Sequence, residues 1–95
     1  MNIIVLNSGS NGNAVYVESQ HSGAAVLLDC GISRRQLEQR LKLHGRSLHS
    51  VRGIFITHEH TDHVRGLPVT TKLYRVPTFL TEATWRGMWR CRPHK

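Results

Sequence analysis

The sequence predicts an α/β fold: one mostly antiparallel sheet covered by helices. Three short β-branched segments separated by turn residues come first, a well-capped helix follows, and a buried strand then runs directly into a histidine cluster. The chain has 95 residues, and a domain usually has about 100–200. It therefore has room for one small domain at most.

The first part of the chain has the pattern of an antiparallel meander. Strands are expected at residues 2–6, 14–19 and 24–28. A run of turn-forming residues separates the first two, Asn7-Ser8-Gly9-Ser10-Asn11-Gly12-Asn13. A shorter turn, residues 20–23, separates the second from the third.

Helix signals begin after the third strand. Ser33 and Gln36 have the spacing of a capping box, which predicts a helix over residues 34–44. Leu37 and Leu41 share one face of that helix and are expected to be buried.

The rest of the chain continues the alternation of strands and helices. The expected elements are a buried strand at 53–57, a helix from Pro68 to about Arg75, a short strand at 76–80, and a helix capped by Thr81 that runs to about Trp89. The tail from about residue 90 has no recognisable stop signal.

Composition excludes several classes of protein. Apolar residues make up 39% and charged residues 20%, as in ordinary soluble proteins. No apolar run approaches the roughly 20 residues of a membrane span, and the start of the chain lacks the pattern of a secretory signal. We therefore expect a cytoplasmic protein without membrane contact, with Cys30 and Cys91 as reduced thiols.

Charge is distributed unevenly along the chain. The net charge is +7, but residues 1–33 carry −2 and residues 34–95 carry +9. A basic surface attracts polyanions such as nucleic acid. The basic residues are scattered along the sequence, and a solvated surface accounts for them equally well.

Residues 58–63 carry the strongest chemical signal, with three imidazoles and one carboxylate directly after a predicted strand. These groups are ligands that zinc accepts. In an extended segment His58 and His60 project to the same side, and a following turn would bring Asp62 and His63 to a neighbouring point. Such an arrangement suits two metal ions about 3.5–4 Å apart. The alternative is a surface loop that happens to contain histidines.

This segment, Thr57-His58-x-His60-x-Asp62-His63-x-x-Gly66, resembles the signature of the metallo-β-lactamase fold superfamily of hydrolases. Three further features are similar to its bacterial YycJ-like (WalJ-like) branch, which in turn is similar to exonucleases and RNase Z-type phosphodiesterases. They are the loop Ser8–Asn13, Leu28-Asp29-Cys30-Gly31 and the helix containing Leu37 and Leu41. The resemblance extends from residue 1 to about residue 89.

The resemblance implies roles for individual residues. His58 and His60 would bind a first metal ion, and Asp62 and His63 a second. Asp62 would also orient a metal-bridging hydroxide that attacks phosphorus, which makes it the catalytic residue. Zinc is the expected metal, and manganese or iron also fit these ligands. Asp29 would brace the metal loop from behind; an ordinary turn carboxylate is an equally good interpretation.

The family fold is an αββα sandwich of two similar halves, with further ligands in the later part. We therefore expect residues 1–95 to form a partial domain, the N-terminal portion of a zinc-dependent phosphodiesterase or nuclease acting on DNA or RNA. A complementing C-terminal half or a homodimer would complete it, and the chain alone would have little hydrolytic activity. The alternatives are a fragment that binds metal or a partner without catalysis, and a small basic nucleic-acid-binding module.

Weaker signals remain. The loop Ser8, Gly9, Ser10, Asn11, Gly12 and Asn13 could offer backbone N–H groups to a phosphate, although a plain hairpin loop is the favoured interpretation. Cys91 and His94 form a minor candidate metal pair. Trp85, Met88 and Trp89 have helical spacing, which is more typical of a core than of a base-stacking platform.

Overall fold

A computed structural model describes residues 1–88 and 91–94 as one five-stranded sheet with four short α-helices. The strands, in their order across the sheet, are β1 (Asn2–Asn7), β2 (Ala14–Glu18), β3 (Ala25–Leu28), β4 (Val51–Phe55) and β5 (Thr78–Phe79). The helices are α1 (Arg34–Leu43), α2 (Thr61–Val64), α3 (Leu67–Tyr74) and α4 (Glu82–Gly87), and a 3-10 turn (Leu48–Ser50) precedes β4. The predicted end of the last helix, Trp89, and the start of the tail, Arg90, lie outside the described residues.

The sheet is mixed, with two antiparallel and two parallel pairings. β1, β2 and β3 form the expected antiparallel meander. β3 pairs with β4 and β4 with β5 in parallel, a difference from the mostly antiparallel sheet expected. The reason is that α1 and α3 each return the chain to the end of the sheet where the previous strand began, as a crossover connection requires.

The strand that leads to the histidine cluster begins and ends two residues earlier than the sequence predicted. β4 spans Val51–Phe55, whereas the sequence predicted residues 53–57. Val51 is included because it pairs with Ala25 of β3. Thr57 is excluded because its amide donates to the carboxylate of Asp29, at 2.8 Å, instead of to a neighbouring strand.

The first helix forms as predicted. The Ser33 hydroxyl accepts a hydrogen bond from the Gln36 amide at 3.1 Å, and the Gln36 side chain accepts one from the Ser33 amide at 3.1 Å. This capping box fixes the start of α1. Leu37 and Leu41 are fully buried and join the core formed by the inward side chains of the sheet and helix α3.

The opposite face of the sheet is apolar and open. Residues paired across the strands point to this side: Ile3 and Val5 in β1, Val15 and Val17 in β2, Val26 and Leu28 in β3, Phe55 in β4, and Phe79 in β5. The rings of Phe55 and Phe79 stack at 4.9 Å and are 41% and 50% exposed. The sheet therefore buries one face only.

Other sequence predictions have mixed outcomes in the described part of the chain. Both cysteines are free thiols, as expected. Met88 lies in the core, while Trp85 is half-buried with the guanidinium of Arg92 4.1 Å from its ring centre. Trp89 lies outside the described residues. Across residues 1–88 and 91–94, no helix has both the length and the apolar character to cross a membrane.

Candidate metal centre

The histidine cluster lies where the chain leaves the carboxyl end of β4 and enters α2. His58 and His60 lie in the connecting segment, and Asp62 and His63 lie on the first turn of α2. Because β3 and β4 are parallel, their carboxyl ends meet at the same edge of the sheet. Asp29, which follows β3, is thereby placed beside Thr57, which follows β4.

The four predicted metal ligands are brought close together. The ring centres of His58 and His63 are 4.7 Å apart, and those of His58 and His60 are 6.2 Å apart. Nε2 of His63 lies 3.7 Å from Oδ2 of Asp62. Within residues 1–88 and 91–94, however, no three His, Cys, Asp or Glu side chains converge closely enough to hold one ion. The ligands are thus neighbours on one loop without forming a closed cage.

Asp29 connects the metal loop to the sheet. Its carboxylate accepts hydrogen bonds from the amide and the hydroxyl of Thr57, at 2.8 and 2.7 Å. The Thr57 hydroxyl in turn lies 2.9 Å from Nδ1 of His58. Asp29 has a positive φ of 65°, a conformation that aspartate tolerates better than most residues. One side of the His58 ring is therefore held by a chain of polar contacts that begins at Asp29.

Asp29 also contacts a second predicted ligand. Nδ1 of His63 is buried and lies 2.9 Å from Oδ2 of Asp29. The two atoms lie within ion-pair distance without forming a regular hydrogen bond.

The loop between β1 and β2 packs against the same turn. The Asn13 amide donates to the Asp62 carbonyl at 2.7 Å, and the Asn13 side chain donates to the carbonyl and to Oδ2 of Asp62, both at 3.2 Å. The Gly12 amide is satisfied by the Gly9 carbonyl at 3.1 Å, and the Gly9 amide by Oδ1 of Asn13 at 3.2 Å. Several donors of this loop are therefore engaged inside the protein, and phosphate binding by it stays a prediction.

Two glycines allow the segments around the metal loop to approach each other. A Cβ atom at Gly31 would overlap the carbonyl oxygen of Asp62, and one at Gly66 would overlap the carbonyl of Ile32. The Cys30 amide donates to the His63 carbonyl at 2.8 Å, and the Gly66 amide to the Cys30 carbonyl at 2.9 Å. Without side chains at both glycines, the backbone can fix the position of α2.

Sequence reasoning assigned no positioning role to Asn13, Thr57, Gly31 or Gly66. Their residue types were the available signal, because asparagine caps local backbone groups and glycine permits close backbone contact. Their partners are distant in sequence, 49 residues away for Asn13 and Asp62. For that reason the motifs that contain Thr57, Gly31 and Gly66 do not by themselves reveal these contacts.

The chemistry of the residues fits zinc. Imidazole nitrogen and carboxylate oxygen are its usual ligands besides thiolate. Metal-binding histidines characteristically have their second ring nitrogen held by a carboxylate, a carbonyl or a similar group. Here Nδ1 of His58 faces Thr57 and Nδ1 of His63 faces Asp29, which leaves the Nε2 atoms for a metal ion.

Comparisons with known proteins identify the family of the chain. The family model described as "Metallo-beta-lactamase superfamily" matches residues 7–95. The chain is 39% identical over 84 residues to the exodeoxyribonuclease YycJ of Bacillus anthracis, an alignment that covers 88% of this chain and 31% of that protein. It is 42% identical over 55 residues to the ribonuclease Z of Methanopyrus kandleri, covering 55% of this chain and 18% of that enzyme.

A comparison with solved structures finds the same fold in a metallo-beta-lactamase. A metallo-beta-lactamase with a HARLDQ motif from Cronobacter sakazakii superposes with a TM-score of 0.78 at 19% identity, over 93% of this chain and 35% of that structure. The chain thus spans about a third of the length of the exodeoxyribonuclease and of this structure.

Proposed function

The chain belongs to the metallo-beta-lactamase superfamily, and from this premise we propose that it forms the N-terminal, metal-binding part of a zinc-dependent phosphodiesterase of the nuclease type. The observation that carries the proposal is the placement of His58, His60, Asp62 and His63 on one loop braced by Asp29. The relatives named as an exodeoxyribonuclease and a ribonuclease Z support the choice of nucleic acid as substrate.

The residues of this chain would have two kinds of role, as metal ligands and as groups that orient those ligands. His58 and His60 would hold one metal ion, and Asp62 and His63 a second. Zinc, when bound, makes water acidic enough to be a nucleophile near neutral pH. Thr57 and Asp29 orient the imidazoles of His58 and His63, and Asn13 orients the carboxylate of Asp62. This support keeps the ligands in place before metal arrives, which reduces the cost of ordering them.

A complete two-metal site needs more ligands than these four. In the αββα sandwich that the resemblance implies, a second sheet covers the first, and the open apolar face that includes Phe55 and Phe79 is the surface suited to it. We expect the 95-residue chain by itself to bind metal and to hydrolyse phosphodiesters weakly or not at all. A metal-binding fragment without catalysis is the second outcome that the experiment below can return.

Metal content of the purified chain tests the proposal. After dialysis against each of Zn²⁺, Mn²⁺ and Fe²⁺, elemental analysis should find at least one tightly held ion per chain, with Zn²⁺ retained best. The double variant H58A/H60A should lose that ion. The matched control, H21A/H44A, removes two exposed histidines outside the cluster and should retain it. No metal above the level of H58A/H60A would overturn the metal centre.

Activity is measured on the same samples with a chromogenic phosphodiester and with DNA and RNA oligonucleotides. Metal binding with weak or absent hydrolysis is the expected pattern for residues 1–95. Robust turnover that disappears in H58A/H60A would contradict the expected need for further ligands, while leaving the metal centre in place.

A further inference from the structure

Three grooves lie around helix α3, and each shares at least one lining residue with the next. The first, of about 370 Å³, lies between the start of α1 and the junction of α2 with α3. The second, of about 490 Å³, shares Val69 with the first. The third, of about 370 Å³, shares Lys72 and His94 with the second. The three grooves therefore lie in a row around α3, and we call this row the track.

The track is lined by positive charge. Six of the thirteen basic residues of the chain border it: Arg34, Arg35, Arg65, Lys72, Arg75 and Arg92. Among the described residues, none of the lining side chains is an aspartate or a glutamate. Residues that are scattered in the sequence are thus gathered on one surface, and their mutual repulsion favours a polyanionic ligand.

Most of this charge is available to a ligand. Arg35, Arg65, Lys72 and Arg75 are exposed. Arg34 and Arg92 are the exceptions. Nη1 of Arg34 donates to Glu38 at 2.7 Å. Arg92 is half-buried, and its guanidinium donates to the Trp85 carbonyl at 3.4 Å. The accessible groups are three guanidinium groups and one ammonium, and guanidinium forks match the geometry of phosphate oxygens.

The track begins next to the metal centre. Arg65 follows Asp62 by three residues, which corresponds to about one helical turn. Nη1 of Arg65 also lies 3.3 Å from the carbonyl of Asn11, in the loop that holds Asp62 through Asn13. A strand with one phosphodiester at the metal centre would therefore have its neighbouring phosphates within reach of the first groove.

We propose that these three grooves form a single binding track for the phosphodiester backbone of a nucleic-acid strand that extends away from the metal centre. The inference rests on the proposed function and adds to it the path of the substrate. Phosphate contacts carry no base specificity, so the track accepts DNA and RNA alike, and the test compares both.

The experiment measures binding in the absence of metal, so that it stands apart from hydrolysis. Labelled single-stranded DNA and RNA oligonucleotides are titrated with the 95-residue chain in EDTA at several salt concentrations. Fluorescence anisotropy measures the bound fraction. The variants R35Q/R65Q and K72Q/R75Q each remove two charges from the track. The control K42Q/R52Q removes two charges from exposed residues that line none of the three grooves.

A contact with one phosphate of a single strand changes the salt slope by about 0.7, or about fivefold in affinity at 0.1 M salt. Each track variant should therefore lose about 25-fold in affinity and about 1.4 in slope, while K42Q/R52Q changes affinity less than about threefold. The charge-preserving variant R35K/R65K should keep most of the affinity, and circular dichroism should show all variants folded.

Equal losses in the track and control variants would mean diffuse attraction by net charge and would overturn the track, as would unchanged binding in the track variants. The variant K72Q/R75Q should keep the metal content of the original chain, because neither residue is a predicted ligand. Failure of the track and failure of the metal centre are therefore distinguishable.

Discussion

Asn13 directs both of its amide groups at Asp62. Its backbone N–H donates to the Asp62 carbonyl at 2.7 Å, and its side chain lies 3.2 Å from both that carbonyl and Oδ2. The Asn13 side chain also donates to the Gly9 carbonyl at 3.0 Å. A residue of the first loop thereby sets the orientation of a predicted metal ligand on α2.

Replacing Asn13 by alanine should weaken metal binding. The variant N13A frees the Asp62 carboxylate to rotate, and loss of such a supporting contact costs about 10–100-fold in metal affinity. Calorimetric titration with Zn²⁺ measures the change. The control is N11A, because the side chain of Asn11 is exposed and makes no hydrogen bond to any described residue. Equal Zn²⁺ affinities for N13A and N11A would show that Asn13 does not support metal binding by Asp62.

Replacing Gly31 by alanine should displace the metal loop. The added Cβ would overlap the Asp62 carbonyl and approach the Asn13 amide to 2.5 Å, and we expect a loss of about 3 kcal/mol in the free energy of unfolding. The control G23A adds a methyl group where no atom lies within 4 Å, at a φ of 74°, and should cost about 1 kcal/mol. Urea denaturation compares the two, and similar losses would show that crowding at Gly31 is relieved by backbone movement.

The ion pair between Glu18 and Arg46 should make stability depend on pH. Hydrogen bonds from Arg46, and then from Asn2, lower the pKa of Glu18 from 4.5 to about 2. A carboxyl whose pKa is lower in the folded state stabilises the fold fully above pH 4.5, and this contribution is lost as the pH falls towards 2. The variant E18Q should therefore be less stable than the original chain at pH 7, with the difference shrinking at pH 3.

Urea denaturation across pH 3–7 measures this difference. The control is E82Q, because Glu82 pairs with Arg86 at the surface, where both side chains are 76% exposed. Pairs of that kind contribute about 0–1 kcal/mol. A pH-independent difference between E18Q and the original chain would rule out the ionised pair as its cause.

The two cysteines should differ in reactivity. Burial raises the pKa of the Cys30 thiol to about 12, and the thiolate is the nucleophilic form. Cys91 is only partly buried. At pH 8 iodoacetamide should modify one cysteine in the folded chain and two in urea, as counted by mass spectrometry. In C91S the folded chain should remain unmodified, and rapid modification of that variant would mean that Cys30 is accessible.

Features encoded by neighbouring residues could be predicted from the sequence. The capping box of Ser33 and Gln36 and the alternation of β1 and β2 are local patterns, and the elements appear within one or two residues of their expected ends. The histidine cluster was recognisable because its predicted ligands all lie within residues 58–63. The parallel pairing of β3 with β4 could not be predicted, because it depends on where α1 returns the chain.

The grouping of basic residues in the track could not be predicted from the sequence either. In sequence order its basic residues occur at 34, 35, 65, 72, 75 and 92, mixed with basic residues that line none of the three grooves. No periodicity links them, because they come from two helices, a helix junction and the tail. Only the packing of α3 beside α1 and the tail makes them neighbours.

The contacts that hold the histidine loop also determine when it can form. They join residues 13, 30–31 and 62–66, whereas the strands of the meander pair across short turns. Contacts between distant residues form slowly because a long loop must close first. During synthesis the meander can fold before the histidine loop forms, so we expect the proposed metal ion to bind late in folding.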